Sequence, residues 1–170
     1  METIIDNRSN LLDTDITDYV QKVKLLIVNS NNEILLAYQK NGYEFPGGTK
    51  ENNESLNDTL YRELQEETGI VLEKTNLEPF CVSKGYYKDW PEKDRNKQID
   101  IYYYEIKTDE LPNLDNINLT ESEKQNNFYL KYINLDNILE VIDNNIKIYG
   151  DNRGIAKDMK KVLEVYKRIK

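Results

Sequence analysis

The stretch GGTKENNESLNDTLYRELQEETGI, residues 47–70, sets a Gly-Gly pair ahead of a segment crowded with carboxylates. Leu56, Leu60 and Leu64 recur at every fourth position, the spacing of a helix with one buried stripe. On such a helix, positions i, i+3 and i+4 share a face, so Glu63, Glu66 and Glu67 project together while the leucines face the core. Three like charges held side by side repel one another. A divalent cation would remove that repulsion, because a hard cation accepts several carboxylate oxygens and keeps places for water and phosphate oxygens. A solvated acidic face would show the same charges. The loop before the helix favours the metal: Pro46 fixes one backbone angle, and Gly47 and Gly48 lack a Cβ, so main-chain N–H groups can approach a phosphate. Gly69 stands where a C-terminal helix cap is expected, and Leu64 and Ile70 are core positions.

Composition narrows the chemistry further. The chain has no histidine, which excludes Ser-His-Asp and Cys-His nucleophiles, imidazole metal sites and imidazole acid-base catalysis. Proton transfer falls to carboxylates, Lys or Tyr, and a metal site would be built of oxygen, which favours Mg²⁺ or Mn²⁺. Cys81 is the only cysteine, so neither an intrachain disulfide nor a thiolate zinc cluster is expected. A net charge of −8 disfavours duplex nucleic acid and anionic membranes as partners. If the substrate is anionic, a cation must sit between it and the protein. There is no basic start followed by an apolar run, and no stretch nears the ~18 apolar residues of a membrane span, so a cytoplasmic protein in a reducing compartment is expected. At 170 residues the chain suits one domain, 1–170, with a core of its own.

The remaining elements alternate. Residues 1–18 are polar, with an apolar pair at Ile4 and Ile5, and read as a loosely attached segment or an edge strand. Residues 20–28 and EILLAYQ (33–39) flank the turn NSNN and form a hairpin, and a short aromatic strand follows in NGYEFPGG. Further strands are expected at about 77–87, 98–107 and 128–135, with a long polar loop over 108–127. LDNILEVIDNN reads as a short helix, and 153–169 as an amphipathic one with Ile155, Met159, Val162, Leu163 and Tyr166 on one side. Strands and helices interleaved in this order predict a mixed α/β class with helices on both faces of a sheet.

Gly48, Glu54 six positions on, and RELQEETGI from Arg62 reproduce without a gap the Nudix signature G-x5-E-x7-R-E-U-x-E-E-x-G-U, where U is a bulky aliphatic residue. The chain therefore resembles the Nudix hydrolase (MutT-like) family, directly over residues 48–70. The resemblance implies the Nudix fold, an α/β/α sandwich with a mixed β-sheet between helices. It also implies hydrolysis of a nucleoside diphosphate linked to another moiety, with Mg²⁺ or Mn²⁺ as cofactor and a small-molecule nucleotide as substrate. Carried over residue by residue, Gly48, Glu63, Glu66 and Glu67 would hold the metal. Arg62 would pair with Glu54 or with another helix carboxylate and orient the set. Glu66 or Glu67 would take the proton of the attacking water, with Glu121 or Glu123 in the 108–127 loop as alternative bases.

The signature names the reaction and leaves the substrate open. Tyr86 lies sixteen positions after Ile70, where dinucleoside polyphosphate hydrolases of the family tend to have Tyr. Gly47, Gly48, Phe45 and Tyr86 are the candidate substrate contacts, and Tyr43, Tyr87 and Trp90 could add aromatic faces for a base. The extended patterns of the dinucleotide-cofactor and coenzyme A hydrolases are not seen, nor is a basic RNA channel. A nucleotide-sensing Nudix domain that binds without turnover is the alternative function. A homodimer is compatible with the expected strand edges.

Overall fold

Strand β2 (Asp18–Val28) sets the layering. Val23, Leu25 and Ile27 point to one side of it, Leu26 and Val28 to the other, and all five are buried. A strand covered on both faces loses the hydrophobic alternation of a half-exposed one, which is why LLIV reads as a continuous apolar run. The structure is a computed structural model describing residues 1–151 and 154–170.

Among the described residues, seven strands form one sheet in the order β1-β5-β6-β2-β3-β4, with β7 on the other side of β3. They are β1 (Glu2–Asp6), β2, β3 (Glu33–Gln39), β4 (Gly42–Glu44), β5 (Cys81–Tyr87), β6 (Lys97–Lys107) and β7 (Tyr129–Asn134). The sheet is mixed: β1 runs parallel to β5 and β2 parallel to β6, and the other pairs are antiparallel. Helix α1 (Leu56–Thr68) covers one face, where Leu60, Leu64 and Ile70 meet Val23, Leu25, Ile27 and Tyr104. Helices α3 (Ile138–Tyr149) and α4 (Ile155–Ile169) cover the other, where Ile142, Met159, Val162 and Leu163 meet Leu26, Leu36 and Tyr103. The result is the expected α/β/α sandwich.

Several boundaries differ from the sequence expectation. Of the two readings of the N-terminal segment the edge strand holds: it is β1, registered from Glu2 opposite Cys81 to Asp6 opposite Gly85. The strand expected from 77 begins at Cys81, just past Pro79, which has no N–H to give a ladder. The 108–127 segment is not loop throughout: it contains a 3₁₀ turn at Leu114–Asn116 and a short helix, α2 (Glu121–Gln125), capped by Thr120 and Glu123. Helix α3 starts at Ile138 and extends to Tyr149, beyond the expected segment. Helix α4 starts at Ile155; Arg153, where it was expected to begin, lies outside the described residues. Among the described residues no helix is long and apolar enough to cross a membrane.

One arrangement positions the site. The N-terminal half of β2 has β6 on one side, and on the other the segment after β4 is laid along it. Leu25 N–H donates to Pro46 O (2.9 Å), Val23 N–H to Gly48 O (3.0 Å) and Lys50 N–H to Gln21 O (2.9 Å). Gly47 has φ +127°, and a Cβ there would lie 2.4 Å from Val23 O, a backbone atom that cannot swing aside. Gly47→Ala should therefore lower stability by about 3 kcal/mol in urea unfolding, from a strained backbone and a backbone clash. An unchanged midpoint would show that the loop is not held against β2 as described.

Candidate active site

Ser55 caps the start of α1 by accepting the Asp58 N–H, while the Asp58 carboxylate accepts the Ser55 N–H at 3.2 Å. That Ser-x-x-Asp spacing is a capping box visible in the sequence. Gly69 ends the helix in a left-handed conformation, φ 69°, donating its N–H to Gln65 O at 2.8 Å, in the capping role expected for it. Between these ends, burial of Leu60 and Leu64 against the sheet fixes the rotation of the helix. Arg62, Glu63, Glu66 and Glu67 are thereby brought to the Gly47–Gly48 loop, where all four line one cavity.

Arg62 is the hub. Its Nε donates to Glu54 Oε1 (2.7 Å) and its Nη2 to Glu54 Oε2 (3.0 Å), a bidentate pair. Nη1 donates to Glu63 Oε1 (2.7 Å) and Glu66 Oε2 (3.0 Å), and Nη2 also to Thr49 O (3.1 Å). Arg62 thus pairs with Glu54 and with helix carboxylates at once, although the sequence left these as alternatives. The guanidinium holds the Glu54 carboxyl down at about 2. Thr59, fully buried, adds a 2.9 Å hydrogen bond to Glu54 Oε2 and was not singled out from sequence.

The other carboxylates are shaped by burial. Glu67 is 7% exposed and accepts the Gly47 N–H at 3.1 Å; loss of water pushes its carboxyl up to about 8. Burial also raises Glu63, against the opposing pull of Arg62. Glu63 lies so near the loop that a Cβ on Gly48 would fall 2.3 Å from its Oε1 and displace the carboxylate. Glu66 is the most open of the three, its side chain 34% exposed. Among the described residues no three acidic or thiol side chains converge closely enough to hold a metal ion as they stand. Glu63 and Glu66 are each turned onto Arg62 instead. The donor set, all oxygen, fits a hard divalent cation in kind, and a modest turn of these side chains would be required.

Two lysines of β2, missed from sequence, complete the floor. Lys24 Nζ donates to Glu44 Oε2 (3.2 Å), Phe45 O (2.8 Å) and Gly47 O (2.7 Å). Lys22 lines the same cavity. Their signal was the alternation QKVKLLIV: two cations two residues apart share one face of a strand otherwise made for burial. The cavity measures about 530 Å³, within the range of small-ligand sites, and its walls include Phe45, Ile101, Tyr103, Ile155 and Met159.

The expected aromatic contacts divide. Phe45 lines the cavity, almost wholly buried, with its ring edge-on to Tyr103 at 6.2 Å. Tyr86 does not: it is opposite Gln98, so strand alternation places it on the α1 face with Tyr104, whereas Ile101 and Tyr103 line the cavity from the opposite face. Tyr87 and Trp90 pack on one another at 5.8 Å, and Tyr43 packs on Tyr38; none of these lines the cavity. Of the loop carboxylates, Glu123 lines it, with Oε2 accepting from Thr120 N (2.7 Å) and Oγ1 (2.8 Å). Glu121 lies outside, its side chain 80% exposed and paired with Lys124 at 3.0 Å.

Comparison with known proteins places this geometry. The family model described as NUDIX domain matches residues 18–145, from the first residue of β2 into α3. The 8-oxo-dGTP diphosphatase of Buchnera aphidicola subsp. Acyrthosiphon pisum is 32% identical over 111 residues, covering 56% of this chain and 87% of that protein. The RNA pyrophosphohydrolase of Histophilus somni (strain 2336) is 34% identical over 76 residues, 44% of this chain; the match spans only 38% of that relative's length. Among solved structures, the MutT protein of Bacillus halodurans aligns with a TM-score of 0.55 at 22% identity, covering 85% of this chain and 82% of that one. A C. elegans Ap4A hydrolase aligns at 0.53 and 17% identity, covering 88% and 96%. At those identities the solved structures speak for the fold alone. With the family model matched over most of its length and the carboxylate helix held against its glycine loop, the chain belongs to the Nudix family.

Proposed function

We propose that this protein is a divalent-cation-dependent pyrophosphohydrolase acting on a nucleoside diphosphate linked to another moiety. The observation that carries this is the gathering of Glu63 and Glu66, both bonded to Arg62, and of Glu67, bonded to Gly47 N–H, at the Gly47–Gly48 loop on the wall of a cavity of about 530 Å³. The names of the relatives, an 8-oxo-dGTP diphosphatase and an RNA pyrophosphohydrolase, support a nucleotide phosphoanhydride as the bond broken. Mg²⁺ or Mn²⁺, held by Glu63, Glu66 and Glu67 with the Gly48 backbone, would screen the diphosphate and acidify a water.

The chain's own residues do the rest. Arg62 keeps the helix carboxylates at a set spacing, and Glu54 in turn fixes the plane of its guanidinium. Gly47 N–H orients Glu67. Glu66, open to water and with only Oε2 engaged by Arg62, takes the proton of the attacking water on Oε1. Glu67 and Glu123 are the alternatives on the cavity wall; Glu121, off that wall and paired with Lys124, is the less favoured one. The nucleoside would lie against Phe45 and its apolar neighbours.

We further propose that residues 1–170 form a single Nudix domain, since β1 and α4, outside the family match, build into the same sheet and core. A cytoplasmic location suits a buried free thiol at Cys81. Pairing of two copies along the β1 edge would give the homodimer the fold permits.

Release of mononucleotide and phosphate from nucleoside triphosphates, nucleotide sugars, ADP-ribose and dinucleoside polyphosphates, with Mg²⁺ or Mn²⁺ and with chelator, tests the proposal. One class should be cleaved only with metal. Glu66→Gln should lower kcat by about 10²- to 10⁴-fold while melting within a few degrees of the wild type. Full turnover in that variant would remove Glu66 from the mechanism, and no turnover in any protein would leave a nucleotide sensor.

The ion pair of Glu54 has a pH signature. Its folded-state carboxyl lies near 2 against an ordinary 4.5, so the stability it contributes is present above 4.5 and lost as pH falls toward 2. Glu54→Gln should thus melt below the wild type at neutral pH, with the gap closing on acidification. A gap that persists unchanged down to pH 2 would place its origin elsewhere than in the ion pair.

A further inference from the structure

Among the described residues, three cations line the cavity: Lys22, Lys24 and Arg62. Two are committed. Lys24 directs its ammonium at Glu44 and two backbone carbonyls, and Arg62 is engaged by three carboxylates and Thr49 O. Lys22, half-buried, makes no side-chain hydrogen bond or ion pair among the described residues. Burial, with Lys24 adding repulsion, holds its ammonium below the ordinary lysine value. The Glu44 and Glu63 carboxylates attract it through space, but among the described residues none is within hydrogen-bond reach, so an anionic ligand would supply the direct, charge-assisted contact that the side chain lacks.

Its position says what that ligand is. In the sheet register Lys22 is the neighbour of Ile101, which with Tyr103, Phe45, Ile155 and Met159 forms the apolar part of the cavity. On its other side it bridges to Thr49, next to Gly48, against which Glu63 is packed. Lys22 therefore stands between the apolar wall and the carboxylates. With a net charge of −8 on the chain, a phosphate in that place needs a local cation.

We propose that Lys22 is the binding residue for the phosphate that stays on the nucleoside, gripping it between a base laid on the apolar wall and the scissile linkage above the carboxylates. This deepens the pyrophosphohydrolase proposal and rests on its claim that the ligand is a nucleotide. Lys22 sets register: it anchors the nucleoside-proximal phosphate so that the next linkage lies over Glu63 and Glu66.

The test is calorimetric binding of GMP and AMP, and of guanosine and adenosine, in chelator, to the wild type, Lys22→Met and Lys22→Arg. Lys22→Met should bind the monophosphates about ten- to a hundredfold more weakly, as expected for losing one charge-assisted contact, and the nucleosides as tightly as wild type. Lys22→Arg, which keeps the charge, should stay within a few-fold, and both variants should melt as high as the wild type. Equal monophosphate affinity in wild type and Lys22→Met would overturn the proposal, as would wild-type protein that binds monophosphate no better than nucleoside. Lysine-dependent monophosphate binding in a protein that cleaves no pyrophosphate would sink the hydrolase proposal and leave this subsite standing.

Discussion

Everything at the site depends on the Pro46–Lys50 segment being held along the edge of β2, and the Lys24 ammonium is what clasps it there. Ordinary strand hydrogen bonds align the segment, but the three Nζ contacts to Glu44, Phe45 O and Gly47 O lock β4 and the glycine loop to the central strand together. A half-buried lysine is costly to place, and here its donors meet one carboxylate and two carbonyls. With the loop fixed, Gly47 N–H can reach Glu67 and Glu63 can pack on Gly48. A side chain on Gly47 would push the loop off β2, and one on Gly48 would displace the Glu63 carboxylate.

Electrostatics then explains why so acidic a helix survives folding. Arg62 lies among Glu54, Glu63 and Glu66, so one delocalised charge offsets several carboxylates through short, directed hydrogen bonds. Glu67 lies outside that reach and, nine-tenths buried, holds its proton to about 8. The result is an unevenly compensated cluster, relaxed at Glu54 and frustrated at Glu67 and Glu63. Such frustration at a cavity wall is the mark of a site that has been kept for a ligand at some cost in stability. Lys22 on the cavity floor feels the Glu44 and Glu63 carboxylates but, among the described residues, makes no direct hydrogen bond or ion pair with its side chain.

Much of the fold was legible because its signals are local. The leucine spacing marks α1, the Asn-rich turn marks the β2–β3 hairpin, and the apolar run in β2 marks a strand covered on both sides. The edge strand β1 and helix α2 were less legible: β1 exists through parallel pairing with β5, some eighty residues away, and α2 is one turn stabilised by its cap. Tyr86 shows the limit from another side. Its sequence distance from Ile70 suggested a substrate contact, but its face of the sheet was set by register with β6, which no spacing within one strand reveals.

The sequence by itself determined which groups are available: a three-carboxylate helix face, an arginine and a glutamate at fixed spacing, a glycine loop, and no histidine or second cysteine. Those are consequences of helical periodicity and of what each side chain can bond. Only the tertiary structure decided which of them meet. It placed Lys22 and Lys24 beneath the carboxylates, brought Glu123 to the cavity while leaving Glu121 outside, and turned Tyr86 away. The physical reason is that these neighbours are joined by sheet register and by the path of the loop along β2, contacts between residues distant in the chain.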